Sequence, residues 1–146
     1  GWNSVAHAHD FSHIDLDVRE SAARYEGGSW NMAGITALGA SIELLNTFGL
    51  TNHRSPVGDR LLAITDEACQ RLRAMDATVV SARDQEHASG IVAFELSGQD
   101  PHIVRKRCLS AGVTISCRAG RLRISPHAYN NSQDIERLIQ ALQIES

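Results

Sequence analysis

Three arginines crowd one short stretch of this 146-residue chain: Arg118, Arg121 and Arg123. Side chains alternate sides along a strand, so Arg121 and Arg123 share one face while Leu122 and Ile124 take the other. A guanidinium is a planar fork of N–H donors that matches a carboxylate or a phosphate with two parallel hydrogen bonds. The same pattern also suits an edge strand whose charges simply point into water. A second candidate is Gly27-Gly28-Ser29, running into a helix that Ser29 or Asn31 caps. Amides at a helix start, a glycine that permits close approach and a hydroxyl together make a phosphate cradle. Ordinary loops use the same residues.

Two further groups carry reactive side chains. Cys117 precedes Arg118, whose charge favours a thiolate; the alternative is an inward-facing strand residue. Cys69 and Cys108 fall on apolar helical stripes and read as core. His7, His9, Asp10 and His13 lie close together, and imidazole is a ligand for zinc or copper. Their segment has no periodic scaffold to fix them, so a metal centre is not expected. Of the 14 basic residues 13 are arginine, and Lys106 is the sole lysine. Chemistry that needs an activated lysine must therefore use Lys106 or borrow one from elsewhere.

Composition narrows the class of function. The chain is 42% hydrophobic and 21% charged, the balance of a folded globular domain large enough to bury a core. A net charge of -3 offers no footprint for nucleic acid or an acidic membrane surface. Arg105-Lys106-Arg107 reads as the solvated face of a helix. No apolar run approaches the roughly 20 residues of a membrane span, and the first residues lack the pattern of a secretory signal. The absence of a starting Met points to a processed chain or an excised piece. Three cysteines without a CxxC pair argue against a disulfide framework and for a reducing cytoplasm.

The elements that must position these groups follow from periodicity. Residues 1–28 read as an extended arm. Ile35, Leu38, Ile42, Leu45 and Phe48 recur at helical spacing up to Gly49, with Ala33, Ala37, Gly39 and Ala40 on the other face. A second helix spans about 55–75, with Leu61, Ile64, Ala68, Leu72 and Met75 as its buried stripe. Strands are expected at 78–81 and 90–96. A helix opens at Asp100-Pro101 and carries Ile103, Val104, Cys108 and Leu109 to Gly112. Strands at 113–117 and 122–125 flank a tight turn at Ala119-Gly120, and a last helix begins at Asn131 or Ser132 with Ile135, Leu138, Ile139 and Leu142 inward. The order α-α-β-β-α-β-β-α predicts an α+β fold of two layers, a mostly antiparallel sheet covered by helices on one face.

Two of the candidate groups belong to one larger pattern. Arg24-Tyr25-Glu26-Gly27-Gly28-Ser29-Trp30-Asn31-Met32-Ala33-Gly34-Ile35 resembles the R-[FY]-E-x-G-[ST]-x-N-x-x-G-I segment of class V aminotransferases. Arg123-Ile124-Ser125-Pro126-His127-Ala128-Tyr129-Asn130 is similar to their R-x-S-x-x-x-Y-N motif before the last helix, and residues 89–94 to a strand of their small domain. The family includes cysteine desulfurases, selenocysteine lyases, kynureninases and isopenicillin N epimerase-like proteins. The resemblance implies a fold type I pyridoxal-phosphate enzyme working as a homodimer, of which residues 29–146 form the C-terminal small domain.

It further implies that Arg123 pairs with the α-carboxylate of an amino-acid substrate, with Arg118 as a second contributor. Gly28 and Ser29 would reach the pyridoxal 5'-phosphate of the partner subunit. The family's cofactor-bearing lysine precedes this region, in the large domain, and Lys106 matches no lysine motif, so the chain by itself is expected to be inactive. Cysteine desulfurases also carry a persulfide cysteine between the positions matching Arg118 and Arg123. Here only Ala119, Gly120, Arg121 and Leu122 stand there, which favours an epimerase-like or lyase-like member over a sulfur-transferring one. A non-catalytic binding or assembly module with the same fold is the alternative.

Overall fold

A computed structural model describes residues 1–53 and 55–143. The chain divides into two compact units, residues 1–44 and 45–146.

In the first unit, the segment expected to be an arm doubles back on itself. Val5 bridges Val18, Ala6 N–H donates to Asp17 O at 2.7 Å, and Arg19 Nε donates to Val5 O at 2.9 Å. Single 3₁₀ turns occupy Trp2–Ser4 and Ala22–Tyr25. Helix α1 then runs over Met32–Thr47, and its cap is Asn31, whose Oδ1 accepts from Gly34 N–H at 2.9 Å. No residue of α1 is buried, although only Glu43 along its length is charged.

The second unit holds the core. Helices α2 (Pro56–Ala74), α3 (Pro101–Ser110) and α4 (Ser132–Gln143) pack on one face of a four-stranded antiparallel sheet. Its strands are β1 (Thr78–Val79), β2 (Val92–Glu95), β3 (Ser116–Arg118) and β4 (Arg121–Ile124), in the order β1-β2-β4-β3. The helices begin where side chains satisfy their first amides. Ser55 Oγ accepts from Gly58 N–H, Asp100 Oδ1 from His102 N–H, and Asn131 Oδ1 from Gln133 and Asp134 N–H. Val92, Phe94, Leu122 and Ile124 point from the sheet into a layer formed by Ile64, Ala68, Cys69, Leu72, Val104, Cys108 and the α4 residues Ile135, Leu138, Ile139 and Leu142. Burying a side chain of this size contributes about 1.5–3 kcal/mol.

β1, β2 and β3 are shorter than the sequence pattern predicts, for local reasons, while β4 keeps its expected length one residue earlier. After Val79 the hydroxyl of Ser81 takes the N–H of Ala93 at 2.8 Å, which ends the ladder. After α3, Gly112 adopts φ +75° and Val113 N–H bonds back to Cys108 O at 2.8 Å. That helix-ending turn keeps 113–115 out of the sheet. Of the apolar residues that α3 carries, Ile103 and Leu109 are exposed. Val104 and Cys108 alone carry that helix's burial.

Candidate functional site

The β3–β4 hairpin sets the arginines. Its turn places both Ala119 (φ +48°) and Gly120 (φ +74°) in the left-handed region, the geometry that matches the twist of a two-residue hairpin. The register that follows pairs Ser116 with Arg123, Cys117 with Leu122 and Arg118 with Arg121. Leu122 is buried under the helices, so Arg118, Arg121 and Arg123 all lie on the other face of the sheet, on which no helix of this unit packs. Period-2 alternation anticipated this for Arg121 and Arg123.

The three differ in how far they are committed. Arg121 Nε donates to Glu95 Oε1 at 2.8 Å, a half-exposed ion pair of the kind worth about 0–1 kcal/mol. Arg118 is exposed, and its side chain has no partner among the described residues. Arg123 is half-buried; its Nε donates to Ser116 Oγ at 3.1 Å, and that hydroxyl lies 3.4 Å from the Arg123 carbonyl, to which it donates in turn. Among the described residues Nη1 and Nη2 of Arg123 meet no acceptor. Ala93, directly opposite on β2, offers them no side-chain acceptor. The outcome is one oriented cationic fork with an exposed second arginine, Arg118, two positions away on the neighbouring strand.

The loop beyond β4 is held by its own polar groups. Arg60 Nη2 donates to Asn130 O at 2.9 Å, tying the loop to α2. Asp134 accepts from Asn130 Nδ2 and Asn131 N–H, both at 3.1 Å, and these bonds keep its carboxyl below the usual aspartate value. His127 and Tyr129 stack with ring centres 4.8 Å apart and remain exposed.

Gly28 and Ser29 lie in the first unit. Gly28 has φ +138°, and a Cβ there would approach Trp2 Nε1 to 3.0 Å, so both backbone and space call for glycine. Ser29 is exposed, and its hydroxyl has no partner among the described residues. Helix α1 starts only at Met32, and Asn31 rather than Ser29 caps it. Met32 N–H is bonded to Trp30 O, Gly34 N–H to Asn31 Oδ1 and Ile35 N–H to Asn31 O. The helix-start donors are thus mostly engaged within the chain, leaving the Gly28 backbone and the Ser29 hydroxyl as the open part of the cradle.

Cys117 belongs to the helix-covered face, with Sγ 3.9 Å from His102 Nε2, and so lies across the sheet from Arg123. Cys69 and Cys108 are core residues, and burial raises both thiols above the ordinary cysteine value. Lys106 is exposed on α3. His7, His9, Asp10 and His13 are exposed; His9 packs edge-on to Trp2, and Asp10 is taken up by Ser12. No three His, Cys, Asp or Glu residues among those described are arranged to hold a metal. No helix among them is long and apolar enough to cross a membrane. Sequence reasoning passed over Ser116; the signal that finds it is the hairpin register, which sets it opposite Arg123.

Comparisons with known proteins converge on one group. The family model described as aminotransferase class-V matches residues 6–138. A probable cysteine desulfurase of Methanothermobacter thermautotrophicus is 26% identical over 92% of this chain, which covers 36% of that protein. Among solved structures, the apo cysteine desulfurase of Thermococcus onnurineus NA1 superposes with a TM-score of 0.74 at 20% identity, over 90% of this chain and 36% of that one. The Escherichia coli cysteine desulfurase CsdA gives 0.65 at 18% identity, over 89% and 35%. The chain therefore spans little more than a third of the length of the proteins it matches.

Proposed function

The chain belongs to the class V aminotransferase family, and on that premise we propose that it is the C-terminal part of a longer pyridoxal-phosphate enzyme acting on an amino-acid substrate. The observation that carries this is the Arg123 fork: a half-buried guanidinium on the open face of the sheet, fixed at Nε and free at Nη1 and Nη2. It binds the α-carboxylate end-on, with Arg118 adding charge from the neighbouring strand. Two such bonds orient the substrate as well as hold it.

The residues present fit the cofactor in part. At Gly28 a Cβ would fill the space in front of Trp2, and the Ser29 hydroxyl beside it is open, which suits a phosphate oxygen of pyridoxal phosphate held from across a homodimer. When bound, the cofactor supplies the electron sink for bonds broken at the substrate α-carbon. Lys106 stands exposed on a helix, away from the arginine face, so the cofactor-bearing lysine is supplied by the rest of the longer protein. In this reading the isolated chain is inactive, and its partners are the large domain of the same protein and a second subunit.

The finer reaction class follows from the hairpin. The turn between Arg118 and Arg121 is only Ala119-Gly120, and Cys117 faces the helices rather than the arginines. A thiol does not stand beside the carboxylate fork, which supports epimerase-like or C–S lyase chemistry over sulfur relay through Cys117. The relatives named as cysteine desulfurases keep a desulfurase-like activity in view. Three free cysteines accord with a reducing cytoplasm.

Expressing the coding sequence with its upstream region and replacing Arg123→Ala tests the reading. We expect cofactor absorbance to persist while the KM for the amino acid rises about 10–100-fold, the loss of a charge-assisted bidentate contact. An unchanged KM would remove Arg123 from the carboxylate site.

A further inference from the structure

We infer that Ser116 is a positioning residue that aims the Arg123 guanidinium, dictating end-on rather than side-on capture of a carboxylate. This rests on the assignment of Arg123 as the carboxylate fork.

A guanidinium presents two forks to a planar anion: the edge made by Nη1 and Nη2, and the edge made by Nε and one Nη. Here the second edge is already engaged. Arg123 Nε donates to Ser116 Oγ at 3.1 Å, and the only hydrogen of that hydroxyl is directed to the Arg123 carbonyl, 3.4 Å away. The serine is thus acceptor and donor to the same residue, and a ring of bonds closes between the side chain and backbone of Arg123. Both residues are half-buried and directly paired in the antiparallel ladder, so the backbone fixes their separation. An arginine otherwise loses much rotamer freedom when it binds. The serine removes part of that freedom beforehand and leaves the Nη1–Nη2 edge as the fork presented to the open face.

Neighbouring groups do not substitute for it. Arg121, on the same face, is turned toward Glu95 by its own Nε bond of 2.8 Å. Ala93, opposite Arg123 on the other side, has no side-chain acceptor. Ser116 is the sole side-chain acceptor for Arg123 among the described residues.

The test uses the protein expressed with its upstream region and labelled at arginine Nε, with acetate as the probe and NMR as the readout. We expect Ser116→Ala to accelerate exchange of the Arg123 Nε proton and to weaken acetate binding at β4, each about three- to tenfold. Backbone amide shifts away from the hairpin should stay in place. Ser116→Thr, which keeps the hydroxyl on a strand-compatible side chain, should restore both. Unchanged exchange and affinity in Ser116→Ala would overturn the inference, as would failure of Ser116→Thr to rescue them. Arg123→Ala separates the two levels: if acetate still perturbs β4 equally without the guanidinium, the carboxylate assignment itself falls. If Arg123→Ala abolishes binding while Ser116→Ala has no effect, only the positioning role falls.

Discussion

Asp134 shows how a single residue couples the site loop to acidity. Its carboxylate accepts from the Asn130 side chain and the Asn131 amide, and it closes the cap of α4, just past the Arg123 motif. Those bonds lower its pKa below 3.8. A depressed folded-state value contributes stability that is present in full above the unfolded value and is lost as pH falls through the folded one. Thermal melts of wild type and Asp134→Asn should therefore differ at pH 6–7 and draw together as the pH falls below the ordinary aspartate value. A difference that is constant with pH would mean that the charge plays no part. Alternation along 121–124 was enough to place Arg121 and Arg123 together, because a period of two leaves no choice of face. Ser116 was not legible, because its partner depends on the hairpin register, and a turn longer by one residue would have set Cys117 there.

Elements were legible where they announce their ends. Pro56 after Ser55 and Pro101 after Asp100 mark helix starts that the structure keeps, each with a side-chain bond to the first turn. Strand ends were not, because the groups that cut them short are a serine hydroxyl in one case and a helix-terminating amide in the other. The Ala119-Gly120 turn was found by its glycine, yet its first residue carries a strain the sequence does not announce. An alanine at φ +48° costs roughly 1–2 kcal/mol, which asparagine tolerates better. Ala119→Asn should stabilise the chain by about 0.5–1 kcal/mol in urea unfolding with an unchanged m-value. A lower midpoint would show that the turn differs from type I′.

At the scale of the whole molecule, α1 is the telling element. Met32, Ile35, Leu38, Ile42, Leu44 and Phe48 are all exposed, on and just beyond a helix with a single charged side chain. Contiguous exposed apolar surface of this kind marks an interface. The isolated chain should self-associate, and Leu38→Glu combined with Ile42→Glu should shift its sedimentation toward monomer. Monodisperse monomer in the wild type would count against this. Periodicity alone did show α1 as a helix with two apolar faces. It could not show what covers them, since period gives the direction of a face and not its partner.

The core of the second unit has a consequence for synthesis. Its sheet is roofed from both ends of the segment: α2 supplies Ile64 and Leu72 early, and α4 supplies Leu138, Ile139 and Leu142 last. A chain emerging from the ribosome has half a roof until residues 132–143 are out. Phe94 and Leu122 stay wetted until then, and folding of this unit waits for α4.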